Sequence, residues 1–514
     1  YAQDGYNRFK NLDVLHYSFS LTLSDSTDKI NGSAAIDILR RGNEKAVILD
    51  LEGSGTAGRG MKVSRVLVSG GEAAWSHKDN RLEIVAGIDF VRQDTLHIVV
   101  DYSGIPSDGL IISRNKYGNR TFFADHWPDR AHRYLPCIDH PYDKAGVDFI
   151  ISAPDTYSVV ASGMPVEISR MPGNITISRW HESNPLATKV MTFGAARFAS
   201  ALTGEYEGTP VWAWVYPENR LEGFSDYSLA IKPLHFYSSL IGRYPYGKLA
   251  NVQSKTIYGG LENAGTIFYS ENSVNGKGSS EGLIAHEVAH QWFGDCVTEA
   301  DWHHVWLSEG FATYLTSMYF ESKQGRTRLE ADMKAARTRV LRYWERKQAP
   351  VIDTSVVRLM DLLNANSYQK GAWVLHMLRH RTGDENFRSG LRLFYSRYLH
   401  SNALTSDFQA VMEEVSGQDL DAFFRQWLYV PGQPELKITS AESSAPGTWS
   451  VTIEQVQEHL FVFPLELLVI DGKEERIVKI DVNERKETLT VKAGRNLELK
   501  PDPNINLLFS TVSN

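Results

Sequence analysis

The tightest constraint on this chain lies in Leu283–Gly310, LIAHEVAHQWFGDCVTEADWHHVWLSEG. It contains His286, Glu287 and His290 as H-E-x-x-H, with Glu309 following after eighteen intervening residues. Positions i and i+4 share one helix face, so the spacing predicts that His286 and His290 present ring nitrogens to one metal ion. A helix beginning at Ser279 or Ser280 and stopping by Gly294 suits that need. Glu287 is not required as a ligand and is placed to act as general base toward a metal-activated water. The third ligand must come from elsewhere, and Glu309 opens a second helical segment, EGFATYLTSMYF. Two histidines and one carboxylate leave a fourth zinc position open, the arrangement of a catalytic rather than a structural site. The competing reading is a surface helix carrying two solvated histidines.

Composition narrows the remaining options. At 514 residues the length suits about three domains. With 42% apolar and 23% charged residues the chain reads as an ordinary globular protein. A formal charge of −8 without a basic cluster argues against a nucleic-acid partner. Two cysteines, Cys137 and Cys296, cannot build a disulfide framework and are expected as buried free thiols. The longest apolar run, LFVFPLELLVI at Leu460–Ile470, is interrupted by Pro and Glu, so no membrane span is expected. The opening YAQDGYNRF lacks the blocks of a signal peptide. The expectation is a mature exported form, periplasmic or extracellular, with the cytoplasm as the alternative. Oligomeric state is not legible.

Along the chain, residues 13 to about 200 read as β-structure. In LHYSFSLTL, Tyr17, Phe19, Leu21 and Leu23 alternate with His16, Ser18, Ser20 and Thr22. Thr121–Tyr142 breaks this pattern with a dense set of aromatic, His, Arg and Pro residues, expected as a packed loop or cleft wall. Helices are expected at Leu221–Ile241, Glu281–Gly294, Glu309–Gln324, Arg326–Lys347, Leu359–Arg381 and Glu385–Tyr398, then at Thr405–Ser416 and Leu420–Tyr429. VPGQPELKI at Val430–Ile438 marks a boundary, after which short strands suit a small β-sandwich.

HEVAHQWFGD followed by WLSEGFATY resembles the gluzincin zinc aminopeptidases, the family of aminopeptidase N and leukotriene hydrolase. GGLENAG at Gly259–Gly265 and SYQKG at Ser367–Gly371 resemble the same family, in the same order. The resemblance implies an α+β multidomain fold. Its parts would be an N-terminal β saddle or sandwich at 1–203, a thermolysin-like catalytic domain at 204–432 and a C-terminal β-sandwich at 433–514. It further implies one Zn2+ per chain on His286, His290 and Glu309, with Glu287 as base and Tyr368 donating to the oxyanion. Gly260, Leu261 and Asn263 would line an edge strand for the peptide, and Glu262 would bind its free α-ammonium, making a free N-terminus part of recognition.

Departures from the family pattern also matter. Leu261 replaces the commoner Met, and Ser308 replaces Asn. Thr316 stands where relatives often carry a Glu that orients a zinc histidine, which would leave Asp295 or another acid to do so. Trp127 falls at the second amine-binding position, with Asp125 the nearest acid. Trp127 could offer a cation–π face or simply wall the cleft. The expected activity is removal of N-terminal residues from peptides. The alternatives are a thermolysin-like endopeptidase, which Glu262 argues against, an epoxide hydrolase, and a non-catalytic peptide-binding scaffold.

Overall fold

The structure, a computed structural model, describes residues 4–42, 45–55, 58–85, 95–494 and 497–512. The first three residues of the N-terminal YAQDGYNRF lie outside them. The fold is a mixed α+β one, with a β-rich N-terminal region, a largely helical middle and C-terminal β-sheets. The chain forms two compact units. One runs to Trp302 and includes Tyr395–Leu404; the other comprises His303–Phe394 and Thr405 onward.

In the first unit, an eight-stranded sheet has the order Met164–Met171, Ile175–Leu186, Ala145–Pro154, Leu12–Thr22, Ile30–Arg40, Thr95–Ile105, Gly60–Val68 and Gly71–Glu72. Leu12–Thr22 pairs in parallel with Ala145–Pro154 and antiparallel with Ile30–Arg40. Its period-two pattern buries Tyr17, Phe19 and Leu21 and turns His16, Ser18 and Ser20 outward. Thr121–Tyr142 supplies one short strand, Arg120–Ala124, and then a buried irregular loop.

A five-stranded sheet follows, in the order Ala199–Tyr206, Thr209–Val215, Leu249–Ser254, Thr266–Ser270 and Gly260–Leu261. The last strand is therefore an edge. The expected Leu221–Ile241 helix is split into Arg220–Tyr227, a 3-10 turn at Ser228–Ala230, and Ile231–Leu240. Pro233 explains the restart: lacking an N–H, it fits only within a first helical turn.

In the second unit, helices Trp306–Gln324, Arg326–Trp344 and Gly371–Thr382 are followed by a four-stranded and a three-stranded sheet. The expected continuous helix Leu359–Arg381 is broken into a 3-10 turn at Leu359–Leu362, a π-helical turn at Asn366–Lys370, and the Gly371–Thr382 helix. Asparagine side chains compete with the helix here. Asn364 Oδ1 accepts from the Asn366 N–H at 2.8 Å, and Asn366 Nδ2 donates to the Ala349 carbonyl at 2.9 Å. Both cysteines are buried free thiols. No described helix is long and apolar enough to cross a membrane.

Candidate active site

The helix carrying H-E-x-x-H spans Glu281–His290. Ser280 occupies its N-cap position, but its hydroxyl donates to the Ser273 carbonyl at 2.7 Å instead of capping. The loop leading in is held by Asp226, whose carboxylate accepts the N–H groups of Asn275, Gly276 and Gly278 at 2.7, 2.8 and 2.9 Å. Inside the unit, the buried Tyr237 hydroxyl donates to the Ala285 carbonyl at 3.0 Å. The helix ends at His290, and Gly294, at φ 127°, takes up the reversal that follows.

His286 and His290 meet as the i, i+4 spacing requires. Their Nε2 atoms lie 3.2 Å apart, and the ring planes are perpendicular at 86°. Two nitrogens each ~2.05 Å from a tetrahedral ion would be ~3.3 Å apart, so this donor pair fits zinc. His290 Nδ1 lies 3.3 Å from the Phe293 carbonyl. A proton on Nδ1 leaves the Nε2 lone pair free for a metal. The Phe293 carbonyl is thus one partner that orients this histidine. Asp295, the substitute suggested by the sequence, accepts from Gln291 Nε2 at 2.8 Å. Burial pushes the Asp295 carboxyl well above the usual carboxylate range, and the charge of Glu262 adds to that. Thr316 donates its hydroxyl to Ala312 within its own helix at 2.7 Å.

Gly260 meets Glu287 face to face. A Cβ on Gly260 would fall 2.2 Å from Glu287 Oε1 and 2.5 Å from its Cδ. The glycine expected to give a substrate close approach therefore makes room for the carboxylate beside it. Leu261 pairs with Phe268 and turns its side chain into the core. Glu262 is buried at 5% exposure, two residues along the chain from the glycine that Glu287 touches. Asn263 is fully buried, and neither atom of its amide meets a hydrogen-bonding protein group among the described residues.

Sequence reading missed Gln291. This buried residue ties the edge strand to the helix: Nε2 donates to the Glu262 carbonyl at 2.6 Å, and Oε1 accepts from the Gly265 N–H at 2.8 Å. The available signal was its place directly after His290 in a long apolar stretch, where a buried amide must find partners.

Trp127 is 2% exposed and packs edge-to-face against Tyr258 and Trp302, with ring centroids 6.2 and 5.6 Å away. Asp125 is consumed by structure. It forms an ion pair with Arg130 and accepts from Thr256 Oγ1 at 2.9 Å and the Ile257 N–H at 3.3 Å. These bonds anchor the segment just before Gly260.

In the second unit, Glu309 is buried in the first turn of Trp306–Gln324, and half-buried Tyr368 sits in the π-helical turn. The two segments touch through glycines. A Cβ on Gly310 would lie 3.0 Å from Gly371 Cα and 3.2 Å from the Ser367 carbonyl oxygen. Lys370 is buried and donates to the Gly432 carbonyl at 2.6 Å, and burial lowers its pKa to about 7.

Comparison with known proteins places these elements in context. Residues 14–190 match the Peptidase M1 N-terminal domain, and residues 227–427 the Peptidase family M1 domain. The chain is 26% identical over 461 residues to a leucyl aminopeptidase of Saccharolobus solfataricus, covering 83% of this chain and 55% of that protein. It is 30% identical over 326 residues to probable aminopeptidase 2 of Sulfurisphaera tokodaii, covering 60% and 41% respectively. Against human glutamyl aminopeptidase it is 26% identical over 336 residues, covering 62% and 35%. The chain thus spans about half or less of the length of these relatives.

Proposed function

This chain belongs to peptidase family M1, and on that footing we propose that it is a zinc aminopeptidase removing the N-terminal residue of peptides. The observation that carries the reading is the contact between Gly260 and Glu287. It sets the candidate base against a strand that reaches Glu262 two residues later, a span of at most ~7 Å. An α-ammonium paired with the Glu262 carboxylate would hold the first peptide bond, and no later one, near Glu287.

His286 and His290 would hold the metal through their imidazole nitrogens, and Glu309 would supply the carboxylate donor. The sequence spacing and the 3.2 Å approach of the two imidazoles support this set. When bound, zinc acts as a Lewis acid that brings the pKa of water toward ~7 and polarises the scissile carbonyl. Glu287 accepts the water proton and returns it to the leaving nitrogen. Its place against Gly260 fixes the direction from which it acts. The Tyr368 phenol donates to the carbonyl oxygen as negative charge develops there. Gln291 is a positioning residue that keeps the Glu262 backbone in register with the helix. Trp127, buried against Tyr258 and Trp302, acts as packing beside the strand. Gly260, Leu261 and Asn263 supply the backbone along which the peptide lies.

The test is turnover of an aminoacyl chromogenic substrate, with zinc content measured on the same sample. The intact chain should hydrolyse it. Glu287→Gln should retain zinc and lose roughly a hundredfold or more in kcat. Near wild-type turnover by that variant would refute Glu287 as the base.

A further inference from the structure

A second group of metal-ligating side chains stands on the outward face of the eight-stranded sheet, in residues the proposed reaction does not use. His16, Asp148 and His181 come from three neighbouring strands, Leu12–Thr22, Ala145–Pro154 and Ile175–Leu186. Asp148 and His181 are direct cross-strand partners, and His16 is registered with Gly146, two residues before Asp148. His16 Nε2 lies 3.4 Å from Asp148 Oδ1, close to the ligand separation of a tetrahedral ion, and His181 Nδ1 is hydrogen-bonded to the same oxygen at 2.5 Å, a contact that a bound cation would open in place of the shared proton. One donor atom from each residue falls within 4.8 Å of the other two.

Three further features distinguish this group from a chance cluster of surface charge. A Cβ on Gly146 would lie 2.5 Å from His16 Nδ1, so the glycine gives the imidazole room to lean across the neighbouring strand. Strand pairing slips between Val14 and His16, and again between Ala145 and Val147. Such bulges re-aim side chains and recur beside binding sites. The carboxylate is also fixed: Asp148 is only 4% exposed, and Arg179 donates to its Oδ2 at 2.7 Å, leaving Oδ1 toward both imidazoles. Support of a ligand by a hydrogen bond to its other oxygen is usual in metal sites.

We propose that His16, Asp148 and His181 bind a divalent transition cation of the zinc class through two imidazole nitrogens and one carboxylate oxygen. The site is separate from His286 and His290 and does not depend on the proposed peptidase reading.

The experiment titrates the metal-free full chain with Zn2+ against a chromogenic chelator. A His286→Ala/His290→Ala chain should still bind one equivalent. Adding His181→Ala or Asp148→Asn should weaken that binding roughly tenfold or more. Gly146→Ala, which removes no ligand, should weaken it too by displacing His16. If the His16→Ala/His181→Ala chain binds Zn2+ with the stoichiometry and affinity of the intact chain, the proposal is overturned. A reading without substitutions comes from the imidazole resonances of the intact chain. Paramagnetic Co2+ should shift those of His16 and His181, and unmoved resonances would equally refute the site.

Discussion

At the scale of single residues, Gly260 and Glu287 stand in direct contact. Gly260→Ala would place a methyl carbon 2.2 Å from Glu287 Oε1, so the carboxylate must move. A shift of about 1 Å in a catalytic group can cost roughly a hundredfold, and kcat for an aminoacyl substrate should fall by that order with zinc content unchanged. The sequence marks Gly260 as a point of close approach but not Glu287 as its neighbour, because that depends on which helix packs there. Trp127 illustrates the same limit. Its type suggests a cation–π face or a cleft wall, and the structure buries it to 2% exposure against Tyr258 and Trp302. Trp127→Ala should therefore cost about 3–5 kcal/mol of stability, measured by denaturant unfolding. The partners of Gln291 are not legible for a related reason: they are long-range, here the Glu262 carbonyl and the Gly265 N–H.

At the scale of elements, local periodicity was the reliable guide. The alternation in Leu12–Thr22 and the i, i+4 histidines in Glu281–His290 both correspond to what the backbone does. Leu359–Arg381 reads as one helix in sequence because apolar periodicity does not register side chains that compete for backbone groups, as Asn364 does. That break puts Tyr368 in a π-helical turn braced by the Gly310–Gly371 crossing. Tyr368→Phe leaves the packing intact and should lower kcat and kcat/KM together by about a hundredfold, seen in steady-state kinetics. Gly371→Ala acts on the crossing itself, since its Cβ would lie 3.0 Å from Gly310 Cα. It should cost about 1–3 kcal/mol in a thermal melt, together with activity.

At the scale of the whole molecule, burial of ionisable groups contributes to the pH response. Burial raises the Asp143 carboxyl from the ordinary 3.8 to about 8. The folded chain therefore holds a proton there that the unfolded chain releases above about pH 4, so this group's contribution to stability falls as pH rises from about 4 to 8. Asp143→Asn should flatten the decline in Tm between about pH 5 and pH 8, read by thermal melts across that range. The α+β class and the order of β-rich, helical and β-rich regions were legible from pattern and motif. The burial that gives Asp143 its pKa was not, because it arises only on packing. We propose that a free α-ammonium held by Glu262 limits cleavage to the first peptide bond. The most direct test offers the intact chain one peptide in two forms, free and N-acetylated, and identifies the products by mass spectrometry. The account predicts stepwise loss of residues from the free peptide and no cleavage of the acetylated one. Efficient internal cleavage of the acetylated peptide would contradict it.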